Sequence, residues 1–327
     1  MIAYGPVPSR RLGRSLGINN IPPKVCTYAC AYCQVGHTLD MKIERREFYR
    51  PEDVVQQVGI RVAEVERAGE EIDFLSFVPD GEPTLDVNLD QEIEMLRKFD
   101  RPVAVITNAS LLARPDVRKE LATADWVSLK VDTVQEEAWR RLNRPHRTLD
   151  LPAILDGVLE FGRTFAGTLV TETMLVAGVN DTDRHATETA EFLSHLRPRI
   201  AYVGVPTRPP AVEWVRPPRG EVMVNYHEAF EQRLGNVEFL LGYEGSAFSA
   251  AGDPATNLLS TTAVHPMRKD AVMKLLDRSG SSWHLVEELL GQGNLIEVDY
   301  GGHRYYLRRP PRPGKSSLVS RIETRPG

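Results

Sequence analysis

The 327-residue sequence contains only three cysteines, no long apolar run and no excess of basic residues. No window approaches the roughly 18 consecutive apolar residues that a membrane-spanning helix needs, and residues 1–11 lack the apolar core of a signal peptide. The hydrophobic share of 42% excludes wholesale disorder. A formal net charge of −5 gives no general case for nucleic-acid binding. We therefore expect a folded, cytoplasmic protein without membrane contact.

The three cysteines, Cys26, Cys30 and Cys33, all lie in one short segment. Their odd number, in a cytosolic context, argues against a disulfide framework. Three thiolates can ligate three irons of a [4Fe–4S] cluster and leave the fourth iron open to another ligand. A structural zinc site is an alternative, because His37 would complete a Cys3His set. Cysteines that only pack in the core are a further alternative, which the clustering disfavours.

Short apolar runs alternate with amphipathic stretches over most of the chain. Parallel strands joined by helices require this order, and they form a sheet that helices cover. We therefore predict an α/β fold, a partial (β/α)6 TIM-like barrel with a C-terminal winged-helix-like domain. Ligands of such sheets bind at the C-terminal ends of the strands. The predicted strands after the cysteines are 72–78, 103–107, 126–131, 168–176 and 200–205.

Beyond the predicted sheet, the amino-acid composition and the pattern of apolar residues change twice. Residues 206–222 are rich in proline and arginine, and two helical stretches after residue 261 precede an alternating segment around Gly301-Gly302. A Gly-Gly pair in such a segment predicts a hairpin. We therefore expect four regions: a barrel that ends in a Pro-rich connector (1–222), an extension that covers the barrel (223–260), a winged-helix-like module (261–310) and a basic flexible tail (311–327).

The winged-helix-like module favours contact with a macromolecule. Its second helix carries Glu287 and Glu288 and no basic residue, which argues against reading a DNA groove because phosphates require cations. RNA remains a candidate through basic residues of the hairpin and tail, and a protein partner or dimerisation is the alternative. These basic residues are Arg304, Arg308, Arg309 and Arg312.

The pattern Cys-x3-Cys-x2-Cys, with Tyr32 before the last cysteine, resembles the radical S-adenosylmethionine (SAM) superfamily over about residues 10–210. Residues 5–36, GEPTL at 81–85 and TNASLL at 107–112 resemble its wyosine-synthase-related branch. The resemblance implies that the cysteines hold a [4Fe–4S] cluster whose open iron binds SAM. It also implies a reductant such as flavodoxin or ferredoxin, and cleavage of SAM to a 5′-deoxyadenosyl radical that abstracts hydrogen from a substrate.

The resemblance also implies contacts to SAM. Tyr32 corresponds to a position near the adenine, and the turn Gly81-Glu82-Pro83 corresponds to the motif whose backbone receives the amino group. Lys130 suits the SAM carboxylate and Asp132 suits the ribose hydroxyls, although each is equally typical of a solvated charge at a strand end. Asn180 is a weaker candidate. The positions that correspond to the ribose and carboxylate contacts are Thr107, Asn108, Ser128, Lys130 and Asp132.

Two groups of arginines have two interpretations. Each could bind an anionic substrate group near the barrel mouth, or form ion pairs on a solvated segment. No residue is assigned to chemistry on the substrate. The two groups are Arg10, Arg11 and Arg14 before the first strand, and Arg208, Arg216 and Arg219 in the connector.

Three functions follow as hypotheses. The first is a radical SAM enzyme with an unassigned substrate, such as a tRNA base. The second is an activase-type radical SAM enzyme that acts on a protein partner. The third is an iron–sulfur or zinc regulatory protein with a winged helix. The sequence has no cysteine left for a second cysteine-ligated cluster, which wyosine synthases as a family hold.

Overall fold

The computed structural model describes residues 2–242 and 245–309. Ten strands precede residue 241: β1 (Ala3–Ser9), β2 (Gly13–Ile18), β3 (Val25–Cys26), β4 (Asp40–Met41), β5 (Phe74–Phe77), β6 (Val103–Thr107), β7 (Trp126–Lys130), β8 (Thr168–Met174), β9 (Ile200–Gly204) and β10 (Val237–Leu240). Eight of them form one sheet in the order β1-β2-β5-β6-β7-β8-β9-β10. β1 is antiparallel to β2, and every later neighbour is parallel. The predicted partial barrel is therefore confirmed.

Seven helices accompany these strands: α1 (Pro51–Arg67), α2 (Leu89–Leu96), α3 (Pro115–Leu121), α4 (Glu136–Asn143), α5 (Leu151–Thr164), α6 (Asp183–Leu196) and α7 (Gly220–Leu234). α1 illustrates why they form, because proline occupies its first turn and buried valines such as Val54, Val58 and Val65 recur on one face. No helix in the described part of the chain is long and apolar enough to cross a membrane.

The two faces of the sheet have different cores. Residues such as Val103 and Val105 pack outward against the helices. Ala104 points the other way, because side chains alternate along a strand, and joins Leu12, Trp126 and Tyr202 in a separate apolar cluster inside the barrel. That cluster fills the interior near the amino ends of the strands, so polar side chains are left at the carboxyl ends.

The sheet is larger than the sequence patterns predicted. β1 has no counterpart in the predicted strands, and residues 223–260 were expected to form an extension that covers the barrel. Instead, α7 and β10 add another helix and strand to the sheet, with Val237 paired to Ala201. α7 buries Tyr226 and Phe230 against the main core. The segment becomes part of the barrel because of this burial, since its apolar residues show no strong periodicity in the sequence.

The C-terminal module, defined here as residues 254–308, consists of α8 (Pro254–Val264), β11 (Met267–Arg268), α9 (Lys269–Arg278), α10 (His284–Gly291), β12 (Leu295–Tyr300) and β13 (His303–Arg308). β12 and β13 form an antiparallel hairpin. Its turn is made by Gly301 and Gly302, both at positive φ, so the predicted hairpin is confirmed. α8 begins at Pro254, earlier than the predicted boundary at 261. The winged-helix assignment stays a prediction, and the tail 311–327 lies outside the described residues.

A buried arginine of α1 ties the barrel to the segment before the C-terminal module. Arg61 is only 9% exposed. Its Nε donates to the carbonyl oxygen of Gly5 at 2.7 Å, and its Nη1 donates to that of Ala251 at 2.9 Å. Nη1 also contacts Glu64 at 2.9 Å. One cation therefore satisfies the carbonyl groups of Gly5 in β1 and of Ala251, which are far apart in the sequence.

Replacement of this arginine tests the connection. Arg61→Met leaves buried carbonyl oxygens without a donor, so we expect the free energy of unfolding to fall by about 2–3 kcal/mol. Arg67→Met, at an exposed position of the same helix, is the control and should change it by less than about 0.5 kcal/mol. Urea unfolding followed by circular dichroism measures both. Equal losses in the two variants would contradict the proposed connection.

Candidate active site

A cavity of about 270 Å³ lies at the carboxyl ends of the strands. All three cysteines line it, and so do residues that follow the ends of successive strands. In a parallel sheet these ends meet at one edge, which explains why distant parts of the sequence converge there. Val78, Asn108 and Val205 each follow the end of a strand, and Lys130 and Leu240 are the last residues of theirs.

The cysteine loop, residues 26–33, is held by backbone hydrogen bonds to α4. The N–H groups of Ala29 and Ala31 donate to the carbonyl oxygens of Asn143 and Leu142, at 3.1 and 2.7 Å. Within the loop, the N–H of Cys33 donates to the carbonyl oxygen of Cys30 at 3.1 Å. The loop is therefore anchored on the barrel on both sides of the second cysteine.

The three cysteines are half-buried and line the cavity. Burial raises the pKa of Cys26 and of Cys33, and it raises the pKa of Cys30 to about 12. Two side-chain amides point at sulfur atoms: Asn108 Nδ2 lies 3.6 Å from the Sγ of Cys26, and Asn143 Nδ2 lies 3.6 Å from the Sγ of Cys30. Such donors stabilise thiolates, which metal ligation requires.

These thiols fit a cluster better than a single zinc ion. His37 is exposed and does not line the cavity, so the Cys3His set is not assembled. Within residues 2–242 and 245–309, no three metal-binding side chains surround one point that a single ion could occupy. A [4Fe–4S] cluster does not need such a point, because each thiolate ligates a different iron.

Glu82 joins the Gly81-Glu82-Pro83 turn to the end of β6. Its carboxylate accepts hydrogen bonds from the hydroxyls of Thr84 and Thr107, each at 2.6 Å, and from the N–H of Asn108 at 2.8 Å. Burial raises the pKa of Glu82, and these donors oppose that shift. The carboxylate thus holds in place the two strand ends that the resemblance assigned to SAM.

Gly81 joins the same turn to the cysteine loop. It pairs with Val25 in an isolated parallel bridge, and a side chain at Gly81 would overlap the carbonyl oxygen of Val25. The next N–H, of Glu82, donates to that same carbonyl at 3.2 Å. A glycine is needed here because of this close approach of two backbones.

A cluster of charged side chains lies in the cavity wall beside Tyr32. Glu172 on β8 accepts from Arg11 and from Lys130, whose Nζ lies 3.1 Å from it. Burial raises the pKa of Glu172, but the charges of Arg11 and Lys130 outweigh it and lower this pKa to about 2. Burial lowers the pKa of Lys130, yet Glu172 and Asp132 raise it overall. Lys130 also lies over the ring of Tyr32, 4.9 Å from its centroid.

Six of the nine predicted SAM contacts line the cavity: Tyr32, Gly81, Glu82, Thr107, Asn108 and Lys130. Pro83, Ser128 and Asp132 do not line it. Ser128 lies on the same face of β7 as Lys130, one side-chain layer deeper. Pro83 begins a short 3-10 turn in which it is buried.

Asp132 supports Tyr32 instead of facing the cavity. Its Oδ2 accepts from the Tyr32 hydroxyl and from Asn143 Nδ2, and its Oδ1 accepts from the N–H of Met174 at 2.8 Å. Because both oxygens are occupied, the structure disfavours the expected contact to ribose. Asn180 is similarly engaged with backbone groups of Val176 and Met174 and does not line the cavity.

Sequence reasoning missed a buried ion pair next to the cysteines. Lys24 Nζ lies 2.8 Å from Asp80 Oδ1, and both side chains are more than nine-tenths buried. Burial raises the pKa of Asp80, and Lys24 opposes that shift. Both residues line the cavity. The only signal for this pair in the sequence is the position of its members, near Cys26 and next to Gly81.

The C-terminal module contributes to the cavity wall. Val264 lines the cavity, and His265 Nε2 lies 3.1 Å from Arg208 Nη2. Arg208 Nη1 donates in turn to Gln34 Oε1 of the segment after Cys33, at 2.6 Å. The Tyr305 hydroxyl donates to the carbonyl oxygen of Thr207 at 2.8 Å. The start of the Pro-rich connector is thus held between the module and the cysteine loop.

The remaining predicted arginines differ in their surroundings. Arg14 is exposed and paired with Glu71 and Asp73, as the ion-pair interpretation predicts. Arg216 donates to backbone carbonyls of its own segment, and Arg219 precedes α7. Neither Arg216 nor Arg219 lines the cavity, whereas Arg10, Arg11 and Arg208 do.

Comparisons with known proteins agree with this site. The family model of the radical SAM superfamily matches residues 20–193. The UPF0026 protein of Methanocaldococcus jannaschii is 45% identical over 309 residues, covering 94% of this chain and 96% of that protein. A UPF0026 protein of Synechocystis sp. is 35% identical over 208 residues, 63% of this chain and 76% of that protein.

Among solved structures, a radical SAM methyltransferase from Sphaerobacter thermophilus shares the fold. The TM-score is 0.52 at 15% identity, over 71% of this chain and 67% of that one. The chain therefore belongs to the radical SAM superfamily, whose members are enzymes that use a [4Fe–4S] cluster and SAM. The narrower resemblance to the wyosine-synthase-related branch stays a prediction.

The role of Glu82 in holding this site can be tested by Glu82→Gln. A glutamine keeps the shape of the side chain, but its amide N–H₂ faces hydrogen-bond donors that need an acceptor. We therefore expect the free energy of unfolding to fall by about 1–3 kcal/mol. We also expect the protein to retain less iron. Glu94→Gln is the control, because Glu94 is exposed and pairs only with a surface arginine. Urea unfolding and iron analysis measure the effects, and a Glu82→Gln protein indistinguishable from the control would refute this role.

Proposed function

We propose that the cavity binds the cluster through Cys26, Cys30 and Cys33, and binds SAM against the wall formed by Tyr32, Gly81 and Asn108. The observation that carries this proposal is the convergence of three half-buried cysteines and these strand-end residues on one cavity. When bound and reduced, the cluster supplies one electron that cleaves SAM to methionine and a 5′-deoxyadenosyl radical, which removes hydrogen from the substrate. Members of the superfamily need a reductant, for which flavodoxin or ferredoxin is our candidate.

The protein's own residues orient the ligand and exclude water. The hydrogen bonds from Asn108 and Asn143 support the thiolates of Cys26 and Cys30. Glu82 holds in place the turn to which we assign the SAM amino group. Lys130, charged and beside Tyr32, is placed to attract the SAM carboxylate. Burial of these groups strengthens each of the interactions, because water no longer screens them.

Loss of a cluster ligand provides the first test. Protein reconstituted anaerobically with iron and sulfide, then reduced and given SAM, should form 5′-deoxyadenosine that chromatography detects. Cys30→Ala should form none, because the cluster loses one of its three thiolates. Wild-type protein that holds iron but neither binds nor cleaves SAM would refute the proposal.

The support of Tyr32 by Asp132 provides a second test. Tyr32→Phe keeps the ring and removes the hydroxyl that donates to Asp132, so the ring loses its fixed orientation. We expect the KM for SAM to rise several-fold, with a smaller change in kcat, because ground-state binding is weakened most. Tyr49→Phe, at a half-buried position away from the cavity, is the control. An unchanged KM in Tyr32→Phe would contradict the assignment.

A second candidate concerns the substrate. Arg304 in the hairpin of the C-terminal module is paired with Glu297 and Asp299, and α10 exposes Glu287 and Glu288. This pairing reduces the positive charge available to RNA and favours a protein substrate, as in the activase-type hypothesis. Salt-dependent binding of RNA would favour the tRNA-base hypothesis instead. Membership in an enzyme superfamily leaves the regulatory hypothesis without support.

A further inference from the structure

Three charged groups meet on the wall of the cavity, and their charges do not cancel. Arg11 and Lys130 share the single carboxylate of Glu172. All three side chains are at least four-fifths buried. An arginine stays protonated in proteins, and both neighbours hold their charges as described above. These three side chains sum to one positive charge, and Asp132, whose charge also acts on Lys130, lies on the Tyr32 side.

The guanidinium of Arg11 has hydrogen-bonding capacity left. Its Nη1 donates to Glu172, while its buried Nε has no acceptor among residues 2–242 and 245–309. A buried N–H of a charged group without an acceptor is costly. Nε itself is closed off from the cavity, but the second terminal nitrogen, Nη2, can still donate to an oxygen of a carboxylate or phosphate.

Arg11 and Lys130 differ in the part of the cavity they face. Lys130 lies over Tyr32, and its charge acts on the thiol of Cys30. Arg11 follows the end of β1, next to Leu12 of the interior apolar cluster, and its charge acts on Tyr202. Both residues line the same cavity, Lys130 on the side of Tyr32 and Arg11 on the side of the interior apolar cluster.

We propose that the cavity binds its substrate through a carboxylate or phosphate group held by Arg11. This inference rests on the proposed function, because it assigns the cysteine side of the cavity to SAM. It also gives different roles to two arginines of the first predicted group. Arg11 lines the cavity, whereas Arg14 forms ion pairs on the surface. Glu172 holds Nη1 of the guanidinium, and Nη2, which has no partner among residues 2–242 and 245–309, is left for the anion.

The test uses reconstituted protein with SAM bound, and calorimetric titration with inorganic phosphate and, separately, acetate. Chloride at matched ionic strength is the reference. We expect one or both anions to bind the wild-type protein, and Arg11→Gln to weaken that binding at least tenfold. Arg14→Gln removes the same charge at an exposed position and should bind as the wild type does. Whichever anion binds more tightly indicates whether the substrate carries a phosphate or a carboxylate.

Arg11→Lys covers the case in which Arg11→Gln does not fold. The lysine keeps a positive charge beside Glu172 but lacks the planar set of N–H donors of a guanidinium. Anion binding should therefore weaken several-fold. Equal binding by wild-type protein and every Arg11 variant would overturn the proposal, as would no binding beyond that of chloride. Anion binding seen only without SAM would also overturn it, by assigning the site to the SAM carboxylate.

The same samples separate this inference from the proposed function. Formation of 5′-deoxyadenosine by the wild-type protein tests SAM cleavage without reference to Arg11. Cleavage without anion binding would overturn the anion site alone. Anion binding in protein that never cleaves SAM would instead count against the proposed function.

Discussion

The buried carboxylate of Glu82 is the interaction on which the arrangement of the site depends. It lies in the turn after β5, and its acceptors take hydrogen bonds from that turn and from the end of β6. The backbone of the same turn pairs with Val25, just before the first cysteine. Burying a carboxylate is costly unless several donors satisfy it. The carboxylate therefore constrains the turn and the end of β6 together, and the backbone of the turn joins the segment before Cys26 to them.

A second set of constraints places the other side of the cysteine loop. Asn143 at the end of α4 contacts both Cys30 and the Tyr32–Asp132 pair. Asp132 follows β7, and its other oxygen receives the N–H of Met174 at the end of β8. Thus the loop that carries the cysteines is joined to successive strands by shared polar groups. The geometry of the cavity is a property of the whole barrel and not of the loop alone.

Much of the fold could be predicted because the periodicity of apolar residues is local. Valines on one face of α1 and the alternation of strands with helices led directly to a parallel sheet. β10 was missed because it has only four residues, of which only Leu240 is buried, so the periodicity of its apolar residues is weak. Its place is decided by pairing with β9, which depends on residues far away in sequence.

The sequence by itself determined the kind of chemistry. The three clustered cysteines and the motifs at the strand ends are local features, and they can be recognised in the sequence without a structure. Only the tertiary structure decided the roles of individual charges. Asp132 and Lys130 are two residues apart and both end up buried, yet one supports Tyr32 and the other lines the cavity. Likewise Arg11 and Arg14 share a short segment, but one is beside Glu172 and the other beside Asp73. The physical reason is that a charge takes its role from the partners and the solvent around it, and these are brought together by folding.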